Sequence, residues 1–593
     1  MPAALISGAV LIYAAAVLRS AFRIGEETYF SLFDDAMISM RYARNLAEGH
    51  GLRWNIGEPP VEGFTNFLWT LWMAVLHLLP VPDSKVSLLV MLSGIVILAA
   101  NLWVVYRITL AVSDGSRLAA AIALTFVALY YPLVFWTLRG MEVGLLTLIV
   151  NGGILVSLAM DREFRTDRLA ALLALFVAAI LVRPDGFIPF AAIGGFVVMT
   201  AGPARRILVG LSFAATFLGA TGLLTAFRLV YYGSPVPNTY YLKIDGASTL
   251  ERLQVGLDAL SSTAFLHLGI PIFLTLALGR RLLDPRFLLL SGVFLIQCAY
   301  SAYVGGDAWE WMNYANRYIS VGVPALLVVS ACGLVALGEG KSRLSDTTSR
   351  NLILGGASAA AVLFFVFALG SNSDATLLGR YSAPRLAAAI LFLTASLGLL
   401  LALRKLRLFQ RRTAAFWALA LLVLMQTAGG PLFGWAFLHG SSAANFRNDV
   451  GMTRTGVATR FATGEDATIA VVQAGALPYF ARRTSVDLLG KSDPVIARSE
   501  PRVAFNPGHN KWDYSYSIAT LQPDLVLQLQ YPTAAERQLI LDAGYEYLGW
   551  DGGWSDVYVR TDSDGVDRLL LRETLQLAPT ALPDRGYDPG VRQ

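Results

Sequence analysis

Cysteine and histidine are scarce. The 593 residues contain 2 cysteines and 5 histidines. Cys298 and Cys332 both sit in apolar runs, which leaves neither a disulfide scaffold nor a thiolate metal site. The histidines are too scattered for a His-rich metal centre. Charge is also thin: 15% of residues are charged against 55% hydrophobic, with a mean hydropathy of +0.54. Soluble domains run near a quarter charged, so a wholly soluble chain is excluded, and so is intrinsic disorder. No G-x-G-x-x-G or Walker pattern occurs, so no nucleotide cofactor is expected. No basic stripe stands outside the membrane loops, which argues against nucleic acid as a partner. No internal repeat is visible.

What charge there is divides unevenly. The net is +5, yet from Gly440 onward 15 Lys and Arg face 19 Asp and Glu, leaving 32 against 23 before it. A basic membrane part and a mildly acidic tail are the first division. We read 1–437 as a membrane domain, including a first outer loop at 22–85. We read 438–593 as an extracytoplasmic soluble α/β domain.

Apolar runs recur at 3–18, 86–106, 118–135, 143–160, 207–231, 264–278, 287–303, 319–337, 352–369, 386–403 and 414–437. Many approach the ~20 residues that cross a bilayer as a helix. Two shorter runs, 169–182 and 187–200, flank Arg183-Pro184-Asp185-Gly186 as a tight hairpin. The first run has no basic residue before it and no cleavage site, so it reads as a retained helix. Basic clusters at Arg162/Arg165/Arg168, Arg205-Arg206, Arg280/Arg281/Arg286, Lys341/Arg343/Arg350 and Arg404–Arg412 alternate with loops poor in Lys and Arg. The positive-inside rule puts these clusters in the cytoplasm. The run 67–79 is short and carries Phe67, Trp69 and Trp72, so it is read as interfacial. The expectation is a polytopic α-helical membrane protein of about 11–13 transmembrane helices, thirteen by this parity. Its N-terminus is cytoplasmic, and the first loop and C-terminal domain lie outside.

Beyond Gly440 the pattern predicts strands at 468–472, 524–529, 545–548 and 557–560, with a helix at 535–543. Glycines at 475, 508 and 552–553 punctuate them.

The first outer loop carries Phe33-Asp34-Asp35-Ala36 and then Arg41, Arg44 and Asn45. Adjacent carboxylates at membrane level repel, which raises one pKa or binds a cation, and suits a general base or an electrostatic anchor. The structural alternative has one Asp capping a helix and Arg41 or Arg44 pairing the other. His50 in the Gly49-His50-Gly51 turn is a phosphate or proton ligand, or it simply satisfies loop backbone. Glu62 is a sugar or cation ligand, or a helix cap. Other outer loops add Arg139 and Glu142, Arg183 and Asp185, and Asn238, Tyr240, Tyr241 and Lys243. A further cluster runs Gly305-Gly306-Asp307, Trp309, Glu310, Trp311, Asn313, Asn316 and Arg317. Aromatic faces beside carboxylates suit sugar rings, and interfacial belts share that composition. Lys243, Arg317 and Arg183 would hold a lipid phosphate or snorkel to headgroups. In the tail, Asp487–Asp493 and Gly508-His509-Asn510-Lys511-Trp512 gather polar groups. Packing is the default for most of them, and His509 and Trp512 are the better acceptor contacts.

The segments 33–45, Gly49–Leu52 and Val61-Glu62-Gly63-Phe64-Thr65-Asn66-Phe67-Leu68-Trp69 resemble the first outer loop of GT-C membrane glycosyltransferases. More narrowly, with Arg183–Gly186, Gly305–Asp307, Asp487–Asp493 and Gly508–Lys511, the chain resembles the mycobacterial and corynebacterial terminal β-(1→2)-arabinofuranosyltransferase family. The resemblance implies a decaprenyl-phosphoryl-arabinofuranose donor. It implies transfer to the non-reducing ends of cell-wall arabinan, in arabinogalactan or lipoarabinomannan, at a bacterial plasma membrane. Asp34 or Asp35 would be catalytic. Arg41, His50, Glu142, Arg183, Tyr240, Lys243, Asp307 and Arg317 are the donor-side candidates. Glu62, Trp309, His509, Lys511 and Trp512 are the acceptor-side candidates. Donor and product are both β-linked, so net retention requires a covalent intermediate or a front-face route, and the role of each Asp stays open. The metal site is unknown: two carboxylates alone do not complete an octahedral shell for a divalent cation. Oligomeric state is not indicated. Rival readings are another polyprenyl-phosphate sugar, a lipid or glycan transporter, and a non-catalytic scaffold.

Overall fold

The computed structural model describes residues 1–309, 316–339, 420, 444–550 and 556–577. The apolar runs at 352–369, 386–403 and 414–437, and Glu310, Trp311 and Asn313, lie outside the described residues.

Among the described residues, five helices are long and apolar enough to cross a bilayer: Pro2–Arg19, Asp83–Val112, Val143–Arg162, Pro203–Tyr232 and Pro285–Val304. Each contains a run expected from sequence. The run at 118–135 is broken instead. Arg117–Ala128 and Tyr131–Leu138 form a pair bent by 53°, with Tyr130 extended and Pro132 near the start of the second helix. Proline supplies no N–H and its ring crowds the carbonyl four residues back, so a helix does not run through Pro132 but restarts just before it. The run at 264–278 is likewise interrupted: a π-type turn, Ala264–Leu268, separates Thr249–Thr263 from Gly269–Leu276. The run at 319–337 divides into Arg317–Ser320 and Val323–Gly338, with Gly322 and Pro324 at the break. Thr166–Val182 and Phe187–Thr200 form the expected hairpin around Pro184–Gly186. A β-carbon on Gly186 would collide with the Ala179 carbonyl, which explains glycine in so tight a return. Phe67–His77 has 11 residues; at 1.5 Å per residue it reaches about 16 Å, roughly half the hydrocarbon thickness.

The first loop opens with a small antiparallel ribbon, β1 (Phe22–Ile24) and β2 (Glu27–Tyr29), and continues into the helix Asp34–Ala47. Asp34 and Asp35 occupy that helix's first turn, where negative charge meets the positive end of the dipole. Its polar face does not meet water: Arg41, Arg44 and Asn45 are buried.

The tail forms a five-stranded mixed sheet behind the helix Ala444–Ala462. The strands are β3 (Thr468–Val471), β4 (Thr484–Asp487), β5 (Leu525–Val526), β6 (Tyr545–Trp550) and β7 (Asp556–Arg560), in the order β4-β3-β5-β7-β6. β3 pairs in parallel with β4 and β5, while β7 is antiparallel to β5 and β6. The period of two along β3 divides the core. Ile469 and Val471 join the apolar cluster that runs through the membrane helices. Ala470 and Val472 face a second cluster with Leu488, Trp512, Val526 and Ile540. The tail domain is thus packed on the membrane body through a shared core. The strand expected at 524–529 ladders only at Leu525–Val526, because Gln528 Oε1 then accepts the N–H groups of Val472 and Gln473. A side chain replaces the backbone partner there.

Candidate active site

A cleft with about 640 Å³ of empty space, part of it open to solvent, lies between the membrane body and the tail domain. Its charged and aromatic lining comes from Asp35, Phe64, Glu142, Arg183, Lys243, Trp309, Arg317, Tyr318, Lys491 and His509. These residues span the chain from the first loop to the tail.

Asp35 is the carboxylate at its centre. Its Oδ2 accepts from Arg317 Nη1 at 2.9 Å and Trp309 Nε1 at 3.3 Å. Its Oδ1 is buried without a hydrogen-bond partner among the described residues. Burial pushes the carboxyl pKa upward, but Arg317, Lys491 and Lys243 overcome that and hold it well below the usual carboxylate range. Asp35 is therefore ionised at neutral pH. Arg317 is itself fixed by Asp307, which takes a two-pronged contact at 2.8 Å on each arm. Its guanidinium lies 5.1 Å from the Trp136 ring centre. Asp307 thus orients Arg317 rather than reaching the cleft.

Asp34 behaves differently from its neighbour. It does not line the cleft. Its Oδ1 accepts the backbone N–H of Ala476 at 2.8 Å, in the first turn of the tail helix Ala476–Ala481. Burial raises its pKa to about 6, against lowering by Lys491 and the Ala476 N–H.

Glu142 closes the opposite wall. Arg183 donates to its Oε1 at 2.6 Å and Asn66 to its Oε2 at 3.0 Å. Arg183 also donates to Asp185 at 2.8 Å. His509 stacks edge-on against Trp309 with ring centres 5.2 Å apart. Its Nδ1 lies 3.0 Å from the Pro507 carbonyl. A carbonyl only accepts, so Nδ1 carries the proton and Nε2 the lone pair. Burial and the Lys491 charge push the His509 pKa down to about 3, so the ring is neutral at physiological pH. No group of three or more His, Cys, Asp or Glu residues is placed to hold a metal ion among the described residues.

Other sequence candidates lie away from the cleft. Arg41 spends its donors on Trp54 O, Pro478 O, Ser485 Oγ, Asn55 Oδ1 and Arg483 O, clasping the loop to the tail domain. Glu62 forms a two-pronged buried pair with Arg228 at 2.7 and 3.0 Å. Lys511 is buried, donating to the Ala497 carbonyl at 2.8 Å. Trp512 is in the tail core, donating to Glu536 at 3.2 Å. His50 and Tyr240 are exposed and outside the cleft lining. Neither the helix cap expected of Glu62 nor the Asp pairing expected of Arg41 is what the structure shows: Glu62 pairs with Arg228, and Arg41 bonds loop and tail carbonyls, Ser485 and Asn55. Lys491 and Asn66 are cleft residues absent from the sequence candidates. Lys491 lies within the Asp487–Asp493 motif, which was the available signal; Asn66 closes the Val61–Trp69 motif.

Residues 444–566 match the model of a domain of unknown function, DUF8728. Over 270 residues the chain is 30% identical to the terminal β-(1→2)-arabinofuranosyltransferase of Mycobacterium tuberculosis. That match spans 43% of this chain and 41% of the relative's length. The structure superposes on ArnT from Cupriavidus metallidurans in the apo state, with a TM-score of 0.54 and 15% identity over 94% of this chain and 97% of that one. It also superposes on the same protein bound to undecaprenyl phosphate, with 0.56 and 14% over 95% and 98%. The chain is a multi-pass membrane protein with the GT-C glycosyltransferase fold. Its tail carries the sheet-containing domain described above.

Proposed function

We propose that the chain is a glycosyltransferase that takes its sugar from a polyprenyl-phosphate donor at the outer face of a bacterial plasma membrane. The carrying observation is the cleft itself. Two buried lining atoms, Asp35 Oδ1 and Thr239 Oγ1, have no hydrogen-bond partner among the described residues, and Asp35 is the charged one. A hydroxyl of acceptor or donor sugar would supply the missing hydrogen bond. The fold shared with a protein that binds undecaprenyl phosphate supports a lipid-phosphate donor. The arabinofuranosyltransferase relative supports arabinofuranose as the sugar, arabinan ends as the acceptor and a terminal β-(1→2) linkage.

The transfer breaks the bond between the anomeric carbon and a phosphate oxygen, whose electron pair leaves with the phosphate. The acceptor oxygen forms the new bond to carbon. A carboxylate held strongly ionised is a weak proton acceptor. Asp35 therefore acts by charge, opposing the positive character that develops on the sugar ring and orienting a hydroxyl. The acceptor proton passes to the departing phosphate, as a front-face route with retention requires. Cations of the cleft offset charge on that phosphate.

The test is transfer from synthetic polyprenyl-phosphoryl-arabinofuranose to a short arabinan, with wild type beside Asp34→Asn and Asp35→Asn of equal folding. Loss in Asp35→Asn is expected. Transfer surviving that change removes Asp35 from the chemistry. Failure of wild type with this donor, followed by activity with another polyprenyl-phosphate sugar, corrects the sugar alone.

A further inference from the structure

Among the described residues, Lys243 and Lys491 line the cleft without an ion-pair partner within 4.0 Å. The other cations there are committed, Arg317 to Asp307 and Asp35, and Arg183 to Glu142 and Asp185. The two lysines come from opposite walls. Lys243 ends the short helix Asn238–Ile244 of the membrane body, and Lys491 follows β4 in the tail domain.

One helix serves both. Asn238, in its first turn, donates Nδ2 to the carbonyls of Gly490, Lys491 and Asp493 at 2.9, 3.2 and 3.0 Å. From the tail side, Asp487 accepts the N–H groups of Leu489, Gly490 and Ser492 at 3.1, 3.2 and 2.6 Å. Gly490 turns this loop with φ of +79°. The backbone of Lys491 is thus gripped from both halves of the molecule while its ammonium has no acceptor. Glu62, paired with Arg228, also belongs to this frame: its carbonyl takes the Asn238 N–H at 2.9 Å. Two ammonium groups whose relief is Coulombic, from Asp35 for both and from Asp34 and Asp487 for Lys491 as well, match the charge and donor needs of a tetrahedral oxyanion.

We propose that Lys243 and Lys491 together seat the phosphate of a lipid-linked ligand, one lysine from each half, so that phosphate occupancy and docking of the tail domain are coupled. The inference rests on reading the cleft as a donor site. A phosphate bridging the two walls binds well only when the tail is seated. By reciprocity its binding favours the seated state, because it neutralises two like charges that otherwise repel across the joint. The tail domain then completes the donor side of the reaction as well as any acceptor side.

The full chain in nanodiscs is titrated with undecaprenyl phosphate. Lys243→Gln and Lys491→Gln are each expected to weaken binding about tenfold or more, while Lys491→Arg stays within about threefold. Hydrogen exchange on wild type gives a readout independent of any variant: the ligand is expected to slow amides at 485–493 and 507–509 as well as those at 238–244. Inorganic phosphate competing at millimolar concentration supports recognition of the head group. Absence of undecaprenyl phosphate binding to wild type overturns the donor-site reading and this inference together. Wild-type binding that is unchanged in folded Lys491→Gln, or slowing confined to 238–244, overturns the inference alone. Phosphatidylglycerol nanodiscs giving equal protection without undecaprenyl phosphate assign the seat to bilayer headgroups and overturn the donor assignment.

Discussion

Gly475 abuts Asp34. A β-carbon on the glycine would overlap the Asp34 carbonyl oxygen and press on its carboxylate. The next residue, Ala476, gives its N–H to that carboxylate. The joint between first loop and tail domain is therefore a backbone-to-backbone contact that admits no side chain. Gly475→Ala is expected to destabilise the docked tail by about 1–3 kcal/mol, the range for overpacking a tight contact. Limited proteolysis of the tail and thermal unfolding in detergent would read it.

The two aspartates are expected to separate by function. Asp35→Asn removes the charge in the cleft and should lower transfer about 10²–10³-fold in protein that still folds. Asp34→Asn keeps an oxygen for the Ala476 N–H and should retain most activity. Asp34→Ala leaves that N–H unpaired and should lose about 1–3 kcal/mol of stability. Equal activity loss in Asp34→Asn and Asp35→Asn, both well folded, would contradict this division.

Asp34 also gives stability a pH dependence. Its folded pKa, about 6, is raised by burial above the unfolded value. The folded state therefore binds the proton more tightly, and the stability this contributes is full below the unfolded pKa and lost as pH rises through about 6. The wild-type profile between pH 4 and 7 should fall more steeply with pH than that of Asp34→Asn, by roughly one proton's slope. Parallel profiles would show that Asp34 does not titrate in this window.

Arg317 sets the ionisation of Asp35. Arg317→Gln removes the strongest cation beside it, so the acid limb of the transfer rate should move to higher pH. Arg317→Lys is expected to behave poorly as well, because an ammonium cannot serve Asp307 and Asp35 in the same planar fork. An acid limb unmoved in Arg317→Gln would detach Asp35 from that titration.

Glu62 and Arg228 form a buried pair with side-chain exposures of 2% and 5%. Removing one partner strands the other charge. Glu62→Ala should cost about 3–5 kcal/mol, and Glu62→Ala with Arg228→Met should recover part of it. Thermal unfolding of the single and double variants would measure the recovery.

The membrane helices were legible because hydropathy acts over twenty residues and averages out local detail. Pro132 and Gly322 broke two runs where breakers sat inside apolar sequence, and hydropathy alone does not weigh them. Asp35, Glu142, Arg183, Lys243, Trp309, Arg317 and His509 were nominated from sequence and meet in one cleft. Glu62, Arg41, Lys511 and Trp512 carry the same residue chemistry yet lie outside the cleft lining, in an ion pair, in hydrogen-bonded clasps and in the tail core. Their partners, Arg228, Pro478, Ala497 and Glu536, lie far along the chain or in another element, so spacing carried no trace of them. β4 was missed because Thr484–Asp487 is four residues long with polar alternate positions. Lys491 sits inside the Asp487–Asp493 motif, but its approach to the cleft depends on the distant Asn238, which spacing does not show.

The cleft draws on residues from Asp35 to His509, which has a bearing on biogenesis. A ribosome adds residues in order, so for most of the time this chain is being made the first-loop carboxylate exists without the tail that would lie over it. The helix Asp34–Ala47, with Arg41 and Arg44 unclasped, must wait in the half-made protein through more than four hundred further residues. Prematurely terminated chains would insert into the membrane yet lack Lys491 and His509, and so present no complete reaction chamber. The cleft is complete only after His509 has been added and the tail has folded onto the first loop.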